Sequence, residues 1–249
     1  MILTGFHSIE EALKKNQKGT LVVQLPAGPR VKQVLSLVTP GTVVLEQVGK
    51  TEFQAKVKQL NIDCRGAYFI LSETQKNPLV SLESYLDQLE TTFPLFLVLQ
   101  EVTDPHNLGA IIRIADQFQA SGVIHTTRRS ASVNDTVSRA SAGADQYVPV
   151  FEVTNLVQSL KLLQSKGFWI YGAHMDGPGC NELTLSQSTV IVLGSEGKGL
   201  GHLVTDTCDS LISIPTQGNI DSLNVSVAAG ILAYELRRQQ GFPFSATAK

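Results

Sequence analysis

Five short runs beyond residue 94 are apolar at nearly every position rather than at every second one: residues 95–99 (LFLVL), 122–125 (GVIH), 168–173 (FWIYGA), 190–193 (VIVL) and 211–214 (LISI). A half-exposed strand alternates, whereas a run of this kind needs both faces covered, the condition of parallel strands joined by helical crossovers. Helically spaced segments separate the runs, so residues 94–249 are expected to form an open α/β domain around a parallel sheet. Ahead of them, strand-like runs at 21–25, 42–45 and 68–71 alternate with helical patterns at 31–38 and 53–60. That is a small α/β unit, residues 1–72. The spacing Ser8-Ile9-Glu10-Glu11 is that of a capping box and predicts a helix opening near residue 9. Residues 73–93 are polar, bounded by Pro94 and interrupted by Pro78, with one weak amphipathic stretch at Leu82, Tyr85, Leu86 and Leu89. They read as a linker.

No apolar run approaches the roughly 18 residues of a membrane helix. Glu10 and Glu11 fall where a signal peptide would be apolar, so a cytoplasmic protein without a membrane partner is expected. The three cysteines, Cys64, Cys180 and Cys208, lie far apart with no metal-binding spacing, and neither disulfides nor a bound metal is expected. Twenty basic residues against 22 acidic give a net charge of −2, with neither half of the chain basic. That excludes a nonspecific nucleic-acid coat, which needs a cationic excess to displace counterions. A local cluster remains available at Arg128, Arg129 and Arg139.

Three segments follow predicted strands, where open α/β sheets place their ligands: residues 101–113 (EVTDPHNLGAIIR), 194–201 (GSEGKGLG) and 214–226 (IPTQGNIDSLNVS). The glycine loop is not a nucleotide-phosphate loop. Lys198 is followed by Gly199 where Ser or Thr is required, and His202 stands where a dinucleotide fingerprint counted from Gly197 needs glycine. Glu196 within it would repel phosphate, so a neutral or cationic ligand approached by bare backbone suits it better. Asn107 has the side chain of a helix N-cap as much as that of a site residue. Ser222, Asn224 and Ser226 likewise crowd the start of the last helix, whose free N–H groups they can cap. Along that helix Leu223, Val227, Gly230, Ile231 and Tyr234 share one side, and Arg237 and Arg238 close it.

DPHNLGAIIR, VIVLGSEGKGL and ISIP with SLNVSVAAGI, in this order, resemble the three motifs of the SpoU, or TrmH-like, RNA ribose 2′-O-methyltransferases of the SPOUT superfamily. The opening GFHSIEEAL is similar to the substrate-binding domain fused to the ribosomal-RNA members. Thr216 and His202 depart from the residues common in the family, Met and Arg, and leave the motif cores intact. The resemblance implies a trefoil-knotted domain that binds S-adenosylmethionine in a bent pose and works as a homodimer without metal. It places the cofactor on Gly194, Ser195, Ile214, Pro215, Leu223 and Ser226, and the reaction on Arg113 with Asn107, Glu196, Ser222 and Asn224. It makes RNA the partner, with residues 1–72 selecting it and Arg128, Arg129 and Arg139 among its contacts. A guanosine of 23S rRNA is the favoured substrate and tRNA the alternative. A noncatalytic RNA-binding assembly factor on the same fold is disfavoured by the intact Asn107, Arg113, Glu196 and Asn224.

Overall fold

The computed structural model describes residues 2–60, 62–72, 81–127, 130–195, 197–219 and 222–243. In chain order the elements are β1 (Ile2–Leu3), α1 (Phe6–Lys14), β2 (Gly19–Leu25), α2 (Pro29–Leu35), β3 (Val43–Gly49), α3 (Lys50–Gln59), β4 (Ala67–Leu71), α4 (Leu82–Asp87), β5 (Leu95–Leu99) and α5 (Pro105–Gln117). They continue with β6 (Gly122–Thr126), α6 (Asp135–Ala140), β7 (Val150–Val153), α7 (Leu156–Ser165), β8 (Trp169–Ala173), β9 (Thr189–Leu193), α8 (His202–Thr205), β10 (Ser210–Ile212) and α9 (Val225–Gln239).

Strands β5 to β10 form one sheet in the order β10-β8-β9-β5-β6-β7, every neighbouring pair parallel. The alternation along β5 explains its apolar run. Leu95, Leu97 and Leu99 enter the core under α5 and α9, while Phe96 and Val98 enter the opposite core with Leu160 and Leu163 of α7. From β5 the chain moves outward through β6 to β7, then returns so that β9 lies on the other side of β5. The carboxyl ends of β5 and β9 therefore flank the switch point, where a crevice opens in doubly wound sheets.

Two strands escape the sequence pattern for a physical reason. β7 is an edge strand with Glu152 exposed and its other residues only half-buried, and β1 is two residues long. The first helix also differs from expectation. It starts at Phe6 with Gly5 as an N-cap that makes no side-chain bond, so Ser8 is not a cap. Ser8 lies buried within the helix, and its Oγ donates to the Ser138 carbonyl at 3.4 Å. Residues 82–87, within the segment read as linker, form α4. Its Leu82 and Leu86 pack onto the α7 face of the large sheet, and Tyr85 Oη donates to the Ser121 carbonyl at 2.8 Å.

The small sheet runs β1-β4-β2-β3, with β2 and β3 parallel and β4 antiparallel to both β1 and β2. It docks on the large domain through α1 and the turn that follows it. Gln17 Nε2 donates to Gln146 Oε1 at 3.0 Å, Lys15 Nζ reaches the Gln146 carbonyl and lies 3.7 Å from the Tyr147 ring centroid, and Arg139 faces Asp63 at 3.9 Å.

Near the C-terminal end of α9, Arg237 is 2% exposed rather than a surface cation. It donates to the carbonyls of Phe93, Phe118 and Gln119 at 2.8–3.0 Å and to Gln240 Oε1 at 2.6 Å, which satisfies a guanidinium buried beneath the sheet edge. The stripe of Leu223, Val227, Ile231 and Tyr234 faces outward, while Val225, Ala229, Leu232, Ala233 and Leu236 carry the burial of α9.

Candidate active site

Asp104 caps α5, its carboxylate accepting from the His106 amide at 2.8 Å, and Pro105 occupies the first helical turn where its missing N–H costs nothing. That relieves Asn107 of the capping role. Asn107 is buried in the first turn, and its Oδ1 accepts from Asn224 Nδ2 at 3.0 Å, joining residues 117 positions apart. Asn224 is the N-cap of α9. Its Oδ1 accepts from the amides of Ser226 and Val227 at 2.9 and 3.4 Å and from Ser226 Oγ at 2.6 Å. One side chain thus fixes the start of α9 and ties it to α5.

The glycine loop after β9 closes on itself. Ser195 and Gly199 exchange backbone hydrogen bonds of 3.2 and 2.9 Å, with Gly197 and Gly199 at φ of 82° and 64°. A Cβ on Gly194 would lie 2.1 Å from the Gly199 carbonyl carbon and 2.5 Å from the Leu200 amide nitrogen. The demand for glycine at 194 is therefore internal to the loop, before any ligand arrives. Gln100, just past β5, anchors the loop from the other side by accepting from the Gly201 amide at 2.9 Å through its Oε1. Beside it Glu101 adopts φ 55°, a left-handed conformation that a β-carbon disfavours and that recurs at functional sites.

Between these loops lies a cleft of about 310 Å³ lined by Glu101, Thr103, Asp104, Asn107, Ser195 and Lys198, with Val225 of α9 completing the wall. It brings together parts of all three segments singled out in the sequence. Gln100, Glu101 and Lys198 were not among the residues assigned a role from sequence, although Glu101 and Lys198 fall within two of the segments singled out there.

The remaining assigned residues are placed as follows. Gly194 underlies the cleft, and Ser226 is bonded to Asn224. Ile214 is half-buried against the core under α5 and α9, whereas Pro215, Ser222 and Leu223 are exposed on the segment leading to α9, outside the cleft lining. Arg113 is exposed and stands roughly 120° around the helix from Asn107. It makes no hydrogen bond or ion pair with the described residues and does not line the cleft, so one copy of the chain does not bring Arg113 and Asn107 into one pocket. Arg139 is exposed against Asp63. Glu196, Arg128 and Arg129 lie outside the described residues.

The thiols of Cys64 and Cys208 are held in their neutral form. Burial, reinforced by Asp209, pushes the Cys208 thiol up to about 12, and burial with Asp63 pushes that of Cys64 to about 11, so both stay protonated at neutral pH. Among the described residues no group of three or more His, Cys, Asp or Glu is placed to hold a metal ion, and no helix is long and apolar enough to cross a membrane.

Residues 94–234 match the model of the SpoU rRNA methylase family. The chain belongs to this family. It is 36% identical over 244 residues to the 23S rRNA (guanosine-2′-O-)-methyltransferase RlmB of Pseudomonas syringae, an alignment covering 95% of this chain and 94% of that protein. An uncharacterized tRNA/rRNA methyltransferase of Borreliella burgdorferi is 39% identical over 217 residues, 85% of this chain and 94% of the relative. The AdoMet-bound rRNA methyltransferase of Sinorhizobium meliloti superposes with a TM-score of 0.76 at 26% identity, over 98% of this chain and 88% of that one. With the family comes the enzyme class expected from the motifs, an S-adenosylmethionine-dependent RNA 2′-O-methyltransferase.

Proposed function

We propose that this protein methylates the ribose 2′-hydroxyl of a guanosine in 23S ribosomal RNA in the cytoplasm, tRNA being the alternative substrate. The observation that carries the reading is the cleft at the β5/β9 switch point, where the three motif segments converge and Asn224 is bonded to Asn107. Ribosomal RNA is favoured because the likeness to the Pseudomonas syringae guanosine methyltransferase runs through residues 1–72 as well as the catalytic domain. We assign residues 1–72 to RNA selection and 94–249 to catalysis, with 73–93 between them.

The cleft suits the cofactor. Glu101 and Asp104 outweigh Lys198, so it lacks the cationic excess a phosphate ligand needs, while the closed glycine loop offers main-chain groups to a sulfonium nucleoside. S-adenosylmethionine supplies an electrophilic methyl carbon for in-line displacement. In this reading the backbone at Gly194, Ser195, Ile214, Pro215, Leu223 and Ser226 holds it, and Asn107, Glu196, Ser222 and Asn224 orient Arg113, the cofactor and the ribose. Arg113 anchors the adjoining phosphate and stabilises the 2′-oxygen as its proton passes to solvent water late in methyl transfer.

The exposed position of Arg113 supports a site completed by a second copy. The outward stripe of Val227, Ile231 and Tyr234 on α9, with Leu223 just ahead of it, is 37–49% exposed, and Tyr234 is flanked by Phe118 and Phe242 at ring-centroid distances of 6.4 and 5.5 Å. Such a stripe is the surface a homodimer would cover. Light scattering is expected to give twice the 26.9 kDa chain mass, and Ile231→Asp to give the single mass. A monomeric wild-type protein at working concentration refutes the dimer.

The family's trefoil knot belongs to the same reading. The segment that would take part is packed tightly against β10, where a Cβ on Gly177 would lie 2.6 Å from the Ile212 amide nitrogen. To test the function itself, ribose methylation is mapped on a 23S rRNA transcript incubated with the protein and S-adenosylmethionine. One new 2′-O-methylguanosine is expected. Modification of tRNA alone would transfer the assignment to the alternative.

A further inference from the structure

A second cleft, of about 360 Å³, opens on the small unit and is lined by Phe6, Gln24, Gly28, Arg30, Arg65 and Gly66 among others. We propose that it is an RNA-binding subsite, taking one nucleotide and its phosphate from a strand that continues across Arg139 toward the methylation cleft. The inference rests on the RNA-methylation reading and adds where on residues 1–72 the RNA is held.

The walls are built for a planar anion-bearing ligand. Arg30 is clamped: its Nη2 lies 3.1 Å from Glu10 Oε1, its Nη1 donates to Gln33 Oε1 at 2.6 Å, and its guanidinium carbon lies 5.9 Å from the Phe6 ring centroid. Glu10 is itself buried, so this pair is a fixed part of the wall with its charge spent. Arg65 is different. It is exposed on the turn before β4 and makes no hydrogen bond or ion pair with the described residues, which leaves its full charge for the cleft. Lys50 adds to it. β3 ends at Gly49 in register with Leu25, so α3 begins with Lys50 at the sheet edge from which the Pro26–Arg30 segment departs. An aromatic face beside guanidinium groups is how unstacked RNA bases and their phosphates are gripped.

The cleft also points somewhere. Asp63, two residues before Arg65, faces Arg139 of α6 at 3.9 Å, and Arg139 Nη1 donates to the Asp63 carbonyl at 3.4 Å. α6 in turn lies against α5 so closely that a Cβ on Gly109 would stand 2.4 Å from the Ala140 Cβ, two residues beyond Asn107. Asp63 and Arg139 therefore bridge the small-unit cleft to the helix that carries Asn107 as a paired contact, and Arg65, two residues from Asp63, supplies the uncompensated positive charge at the cleft.

The test uses the full-length chain, an unmethylated 23S rRNA transcript and filter binding at several salt concentrations. Arg65→Glu should weaken binding by about tenfold or more and reduce the slope of log affinity against log salt by at least about one. Lys58→Glu, the same charge change on the exposed face of α3, should stay within about twofold, as a charge outside the contact does. Calorimetry should show unchanged S-adenosylmethionine affinity in both, which separates a lost contact from a lost fold. Ultraviolet cross-linking should join RNA to the peptide containing Phe6. Equal affinity for wild type and Arg65→Glu, or equal loss in both variants, overturns the subsite. A wild-type protein that binds RNA through Arg65 yet transfers no methyl group refutes the methylation reading alone, and one that methylates normally with Arg65→Glu refutes the subsite alone.

Discussion

Arg113→Ala will lower single-turnover methylation at saturating cofactor by about two orders of magnitude or more, the scale of losing one preorganised donor to the developing oxyanion. The structure makes this a clean experiment. Arg113 is exposed and unbonded among the described residues, so its removal should change stability by no more than about 0.5 kcal/mol. Cofactor affinity should be unchanged, because the glycine and C-terminal loops, not α5, are assigned to it. Arg113→Lys should recover part of the rate and not all of it, since a point-charge ammonium lacks the planar fork that spans a phosphate and a ribose oxygen. A near-normal rate in Arg113→Ala removes the residue from catalysis, and a joint loss of rate and cofactor affinity moves it to the cofactor pocket.

The second large effect is at Gly194. Substitution by Val places a branched carbon where even a Cβ would sit 2.1 Å from the Gly199 carbonyl carbon, so the Ser195–Gly199 hairpin cannot close. Forcing it should cost at least about 3 kcal/mol, more than a hundredfold in S-adenosylmethionine affinity by calorimetry. Gly194→Ala should also bind poorly, because the first side-chain carbon makes the clash. Gly197→Ala is the informative contrast. No atom lies within 4 Å of its Cβ, and only the positive φ of 82° opposes it, a cost of about 1–2 kcal/mol. If Gly194→Ala binds as tightly as wild type, the loop is not what holds the cofactor.

The contrast between these two glycines shows what the sequence made legible and what it did not. Strand β5 and its neighbours could be read because burial on both faces writes an unbroken apolar run, whereas the half-exposed edge strand β7 writes a mixed one. That residues 194–201 form a tight loop after a strand was also readable. The reason for Gly194 was not, because the atom it avoids belongs to its own loop, five residues on, in a hairpin no periodicity encodes. The Asn107–Asn224 bond was hidden for a related reason: both residues have a sufficient local explanation as helix caps, and only the point at which α5 starts reveals that Asp104 performs that task there. Ser8 misled in the opposite direction. Its spacing to Glu11 fits a cap, yet Gly5 begins the helix and Ser8 is committed to the Ser138 carbonyl of the other domain. Motif order assigned Arg113 a role, and three-dimensional placement then removed it from the cleft of its own chain.

Asn224 stands at a junction whose consequence is thermodynamic. Its side chain fixes the first turn of α9 and bonds to the cleft, while the outer side of the same helix bears the apolar stripe assigned to a second copy. A ligand that orders residues 222–226 thereby settles the helix end on which subunits would meet, and subunits that meet settle the residues the ligand needs. On the proposed dimer the two equilibria would be linked, and linkage is symmetric: whatever factor the cofactor added to subunit association, association would add to the affinity for the cofactor. A chain diluted into monomers would lose more than half of a composite site, because it would also hold its own half less firmly.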